Sequence, residues 1–129
     1  MLKQNGFTLI ELMMVVAVVG VLMGVAYPSY QNHMLKTKRS DCKAGLMRVA
    51  DLQERYYLRN NTYAADTATL FGAAGQQLSP EEVCELVVTS GDSNTFVLTA
   101  NALGGQLNDT GCTALTLNQA GTKGPSSCW

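Results

Sequence analysis

Gly6-Phe7-Thr8-Leu9-Ile10-Glu11-Leu12 opens a run of 21 residues, Phe7 to Tyr27, in which Glu11 is the only charge. At helical rise the run is about 32 Å long, close to the thickness of one bilayer core, so it reads as a membrane span. A carboxylate inside such a span costs about 2.5–3.5 kcal/mol at mid-membrane on insertion scales, and less near the interface. Its placement calls for a partner.

Met1-Leu2-Lys3-Gln4-Asn5-Gly6 stands ahead of the run, short and polar, with one cation and a glycine directly before the apolar block. A secretory signal is cut after its apolar segment, at small residues. This block ends Gly24-Val25-Ala26-Tyr27-Pro28 and offers no such site. A cut between Gly6 and Phe7 would instead remove Lys3, leave the apolar helix on the mature chain and create an α-amino group at Phe7. That cation is the natural partner for Glu11.

Gly6-Phe7-Thr8-Leu9-Ile10-Glu11-Leu12, followed by an apolar helix with Gly20 and then Pro28-Ser29-Tyr30, closely resembles the type IV pilin signature. The resemblance implies that a membrane-embedded prepilin peptidase cuts after Gly6 and N-methylates Phe7, and that Glu11 guides docking into a fibre. It implies an α+β pilin fold: a long N-terminal helix whose hydrophobic half protrudes, a small antiparallel sheet of three or four strands, and a disulfide-closed C-terminal loop. Lys36-Thr37-Lys38-Arg39-Ser40-Asp41 and Leu115-Thr116-Leu117-Asn118-Gln119-Ala120-Gly121 look most like minor pilins of the E type. The expected divisions are a leader at 1–6, a transmembrane and filament-core helix at 7–30, and a periplasmic or extracellular head at 31–129.

Beyond Tyr27 the helix takes about 30 more residues, leaving about 70 for the head, a size that buries a limited core and needs staples. Cys42, Cys84, Cys112 and Cys128 can supply them, since their spacings of 42, 28 and 16 residues contain no Cys-x-x-Cys pair and match no zinc pattern. With an export segment present, an even count reads as two disulfides in an oxidising compartment. Three pairings are possible. The loop-like last gap favours Cys112–Cys128, worth about 3 kcal/mol in the chain-entropy model, and leaves Cys42–Cys84 to tie helix to sheet.

After Pro28 the pattern stays helical to about Leu58. At about 100° per residue, Leu35, Cys42, Leu46, Val49, Ala50, Gln53, Tyr56 and Tyr57 share one face, and Arg48, Asp51, Arg55 and Arg59 the other. One face meets a sheet. Pro28 is expected to kink the helix, because its ring conflicts with the carbonyl of Gly24. Gly20-x-x-x-Gly24 puts small residues four apart, which lets helices approach closely. Residues 59–82 read as a polar, Ala/Gly-rich connection. Strands are expected at Glu85–Thr89, Thr95–Ala100 and Thr113–Leu117, with turns at Gly91-Asp92-Ser93-Asn94 and Gly104-Gly105. Gly121 to Ser127 has no periodicity and reads as loop.

Little chemistry is visible. His33 is the single histidine, and no Ser/His/Asp set, phosphate-cradling glycine loop or metal-ligand cluster can be assembled. Glu81, Glu82 and Glu85 read as a solvated strand edge. No enzyme, cofactor or metal is expected. Lys36, Lys38, Arg39 and Lys43 follow the span while Lys3 alone precedes it, which by the positive-inside rule places the head in the cytoplasm. The cysteines and the pilin resemblance place it outside, and the more specific signature outweighs the statistical rule.

Three functions fit. The first is a structural subunit (minor pilin) of a type IV pilus, stored in the inner membrane and assembled into the extracellular filament, where it supports adhesion, twitching motility or DNA uptake. Its partners would be other pilin subunits, an inner-membrane assembly platform, the prepilin peptidase and, before assembly, membrane lipid. The second is a type II secretion pseudopilin. The third is a DNA- or surface-binding pilin, for which Lys36, Arg39 and Lys43 form a stripe that could meet an anionic ligand. Without Lys3 the chain carries eight Lys/Arg against ten Asp/Glu, so no strong basic field accompanies that stripe.

Overall fold

The computed structural model describes residues 6–72 and 76–129, so the expected leader lies outside the described residues except for Gly6. The chain divides into two compact units, one ending at Met34 and one running from Leu35 to Trp129. A single helix, α1 (Leu9–Asn60), contributes to both and contains Pro28.

In the first unit, Thr8 caps α1: its carbonyl accepts from Leu12 N at 3.2 Å and its hydroxyl from Glu11 N at 3.3 Å. The first of these is the opening bond of the helix, and the second engages one orphan donor of the first turn. No residue from Phe7 to Ala26 is buried within the chain.

The second unit is helix on sheet. The sheet is an antiparallel meander of β1 (Cys84–Gly91), β2 (Phe96–Ala102), β3 (Ala114–Asn118) and β4 (Lys123–Gly124), in that order. Alternation along β2 sends Phe96, Leu98, Ala100 and Ala102 inward, where they meet Leu86 and Val88 of β1, Leu115 and Leu117 of β3, and Cys42, Leu46 and Val49 of α1. Burying each large apolar side chain contributes about 1.5–3 kcal/mol. Gly45 permits the close contact: a Cβ there would stand 3.0 Å from the Leu86 methyls. Disulfides join Cys42 of α1 to Cys84 of β1, and Cys112 to Cys128 across the C-terminal loop. For closures of 42 and 16 residues the chain-entropy model gives about 4 and 3 kcal/mol.

α1 stops at Asn61, whose φ of 53° is left-handed and whose N–H still reaches Tyr57 O at 2.8 Å, a helix ending that asparagine tolerates. The returning loop is pinned by Gln53. Fully buried, it donates to Ala64 O at 2.9 Å and accepts from Ala64 N at 2.8 Å. Tyr63 stacks on Tyr57 at 4.7 Å and meets Phe96 edge-on at 4.8 Å. Burial, then its bond to Glu54, pushes the Tyr63 phenol up. On the other side of Ala64, β1 ends at Gly91, where a Cβ would stand 2.6 Å from Ala64 O.

Two elements differ from the sequence expectation. The 59–82 connection contains a short helix, α2 (Thr67–Phe71), capped by Asp66 accepting from Thr69 N at 2.6 Å. The C-terminal stretch contributes β4, which pairs Lys123 and Gly124 with Leu117 and Thr116. Both are too short to carry a period of their own. They form because open sheet edges need partners: Thr67 Oγ1 accepts from Val88 N at 3.0 Å and Gln77 O from Leu86 N at 2.7 Å.

Gln53→Ala would leave the two buried backbone groups of Ala64 unpaired, at about 1–3 kcal/mol each. Thermal unfolding should show a loss of about 2–4 kcal/mol, with hydrogen exchange fastest at Ala64; an unchanged Tm would remove the pin from Gln53. A second expectation concerns Asp66, whose carboxyl is held below its ordinary range by the Thr69 N–H bond. A depressed folded pKa gives stability that is present above the unfolded pKa and is lost as pH falls through the folded one. Exchange at Thr69 should therefore accelerate on acidification below the ordinary carboxylate range, and Asp66→Asn should flatten that response.

Candidate functional site

The unit ending at Met34 is an apolar surface without a partner. Phe7 is 87% exposed, and Leu9, Ile10, Leu12, Met13 and Val21 are all above 60%. Such exposure on one chain is far beyond the patch size ordinary for a soluble monomer. Glu11 stands in the first turn of this surface. A Cβ built at Gly20 or Gly24 meets nothing within 4 Å, so among the described residues no neighbour requires glycine at either position. Pro28 lies within the continuous helix, and His33 is exposed.

In the Leu35–Trp129 unit the expected cationic stripe separates by role. Arg39 Nε donates to Asp109 Oδ2 at 2.7 Å, and its NH2 group donates to Oδ1. The same carboxylate accepts from Gln106 Nε2 at 2.9 Å, and Gln106 also reaches Leu35 O at 3.2 Å. With side chains only 17% and 8% exposed, this forked pair has the geometry in which a partly buried ion pair is held rather than dissolved. The Asp109 hydrogen bond raises the Arg39 guanidinium above its ordinary range. Arg39 is therefore consumed inside the fold, tying α1 to the 3₁₀ turn η1 (Gly104–Asn108), and Lys36 is the exposed member of the stripe.

Lys43 takes a different position. Its ammonium lies 5.7 Å from the centre of the Trp129 ring, and Lys123 of β4 lies 5.0 Å from the same ring. Trp129 is oriented by its Nε1 donating to Gly124 O at 3.1 Å, and its neighbour Cys128 closes the loop disulfide. Burial, then repulsion from Arg39 and Lys123, lowers the Lys43 ammonium, with Asp109 opposing. Two cations thus share one indole, while Asp109, the carboxylate whose charge acts on Lys43, is already bonded to Arg39. Sequence reasoning missed Asp109, Gln106, Lys123 and Trp129. The one local signal was a single tryptophan beside a cysteine, and it does not say which cations meet the ring.

Glu81 and Glu82 are exposed, and Glu85, half-buried on β1, pairs with Asn101. Among the described residues no group of His, Cys, Asp and Glu could hold a metal ion.

Residues 28–116 match the family described as type IV minor pilin ComP, DNA uptake sequence receptor. Residues 1–27 match the prokaryotic N-terminal methylation motif. The type IV major pilin PilE of Neisseria gonorrhoeae is 33% identical over 88 residues, covering 68% of this chain and 53% of that protein. PilA of Myxococcus xanthus is 33% identical over 75 residues, 58% of this chain and 34% of that protein. The chain thus spans about half or less of the curated relatives it matches. A solved type IV pilin from Shewanella oneidensis superposes with a TM-score of 0.52 at 27% identity, over 74% of this chain and 97% of that one. An apolar helix, a helix-on-sheet head with its loop closed by Cys112–Cys128, and matches along nearly the whole chain lead to one assignment: the chain belongs to the type IV pilin family.

Proposed function

We propose that the chain is a structural subunit of a type IV pilus. It is held in the inner membrane by residues 7–30 with its head outside the cytoplasm, cut after Gly6 and methylated at Phe7 by a prepilin peptidase, and moved by an assembly platform into a bundle of other pilin helices. The observation that carries this reading is the contrast between two halves of one helix: Cys42, Leu46 and Val49 are buried against the sheet, whereas the apolar residues from Phe7 to Ala26 are covered by nothing within the chain. Such a surface fits lipid first and other apolar helices later. Glu11 then selects register. Unpaired in an apolar bundle it is costly, and the Phe7 amine of an adjacent subunit removes much of that cost. Gly20 and Gly24 are open on the helix surface and suit close helix approach; Pro28 supplies a local bend.

A second reading, DNA contact, is favoured by the Lys43–Trp129–Lys123 cluster together with the DNA-receptor description of the matching family. Lys36 lies on the same helix. The cations would meet backbone phosphates, which position DNA without reading its sequence.

Gly6→Val should leave precursor uncut, read as intact mass that still includes Lys3. Glu11→Ala should give cleaved, membrane-inserted, disulfide-bonded protein that fails to enter fibres, because docking would leave an amine unpaired at about 3–5 kcal/mol if fully buried. Normal incorporation of that variant, measured against cleaved protein in the membrane, would take the docking role from Glu11.

For DNA, Lys43→Ala with Lys123→Ala should lower the dependence of log affinity on log salt by about 2 for duplex DNA, roughly one per phosphate lost. An unchanged slope would discard the second reading.

A further inference from the structure

The end of α1 carries a feature that neither the fibre-core helix nor the Lys43 cluster uses. Leu52, Arg55, Tyr56, Arg59 and Asn60 of α1 and Leu70 of α2 line a half-open groove of about 360 Å³. Its floor is apolar and its rim is cationic. Among the described residues Arg55 is ion-paired only with Asp51, 3.0 Å away one turn back and well exposed, an arrangement that another carboxylate can readily replace. Arg59 has no ion-pair partner among the described residues, and Arg48, one turn before Leu52, holds its guanidinium 5.5 Å over the Phe71 ring. The groove therefore suits a carboxylate-bearing segment with apolar flanks.

The same unit presents such a segment. Ser79 to Glu82 forms a turn closed by Glu82 N donating to Ser79 O at 2.9 Å. It is held rigidly: buried Ser79 Oγ accepts from Val83 N and Cys84 N at 3.2 and 3.1 Å, and Glu81 N donates to Asp41 Oδ2 at 3.1 Å. Glu81 and Glu82 are exposed at its tip, and neither is ion-paired among the described residues. A preformed acidic knob and a preformed basic groove lose little entropy on meeting.

Their placement along α1 limits how they can meet. At about 100° per residue, Asp41, Arg48, Leu52, Arg55 and Arg59 fall within about 60° of one another, and Asp41 precedes Tyr56 by about 22 Å of helix. A knob cannot reach a groove so far along its own helix. A second copy can, if it is displaced along the axis by about that length. Copies drawn from one membrane with one orientation have parallel helices, so the contact is head-to-tail and leaves a free knob at one end and a free groove at the other, the arrangement that propagates into a filament.

We infer that the Glu81-Glu82 turn of one copy docks into the Arg55/Arg59 groove of a second copy displaced along the helix axis. This rests on the pilus reading. The test is a charge exchange in the full-length chain: Arg59→Glu, Glu82→Lys and the double variant, each read as the fraction of cleaved, disulfide-bonded protein recovered in sheared fibres. Each single variant should lose about tenfold, because like charges then face one another, and the double variant should return to within about twofold of wild type. Single variants that fail without rescue by the double assign the groove to another acidic protein and overturn the inference. Arg59→Glu at the wild-type level removes the contact while the pilus reading stands; wild-type chain absent from fibres removes both. Should Arg59→Glu lose its disulfides, Arg59→Gln with the same readout takes its place.

Discussion

The backbone of α1 bonds to itself, turn upon turn, with Pro28 the one position that has no N–H to give, so the side chains of residues 7–30 can change surroundings without breaking a backbone bond. That independence is what a segment needs if it is to stand in lipid and later among other helices. A strand could not do this, because its backbone would carry its partners with it. The first half of α1 can therefore remain apolar all round, and the burden of holding a defined tertiary structure falls on the residues after Met34.

Those residues meet the burden with few means. Three helix residues, Cys42, Leu46 and Val49, and the inward side of a four-stranded sheet make the core. So small a core is fastened at its edges: Cys42–Cys84 joins helix to the first strand, Arg39–Asp109 joins helix to the turn after the second, and Gln53 holds the loop that leaves the helix. The three ties come from α1 at successive levels, so the sheet is tied along the length of the helix segment that it covers. Cys112–Cys128 then closes the terminal loop and brings Trp129 beside Lys43.

Charge is distributed accordingly. Where a cation ties the fold, as at Arg39, it is forked onto a nearly buried carboxylate; Lys43 and Lys123 stand beside an indole, and Arg55 and Arg59 beside half-buried apolar groups, with only the exposed Asp51 bonded to Arg55. The near-neutral total, nine Lys/Arg against ten Asp/Glu, hides this separation. Net charge counts residues, whereas a partner feels a field over a few ångströms.

The long helix, the change of its buried face after Pro28 and the three main strands were legible because each rests on a short-range pattern: an apolar block, a 3.6 period, an alternation between turns. Expected strands at Glu85–Thr89, Thr95–Ala100 and Thr113–Leu117 lie within or one residue from Cys84–Gly91, Phe96–Ala102 and Ala114–Asn118. The Gly6-Phe7…Glu11 block was legible for the same reason, being local and dense. By contrast α2 and β4 have no period; they exist because β1 and β3 offer open edges to be satisfied. Lys36, Arg39 and Lys43 looked alike in the sequence, one helical stripe of cations. Only the tertiary structure separated them, through Asp109, 70 residues from Arg39 in the chain, and through Trp129 and Lys123 at the far end of it. A local pattern fixes which face of an element turns inward, but the residue waiting there is chosen by chain returns that no local period encodes.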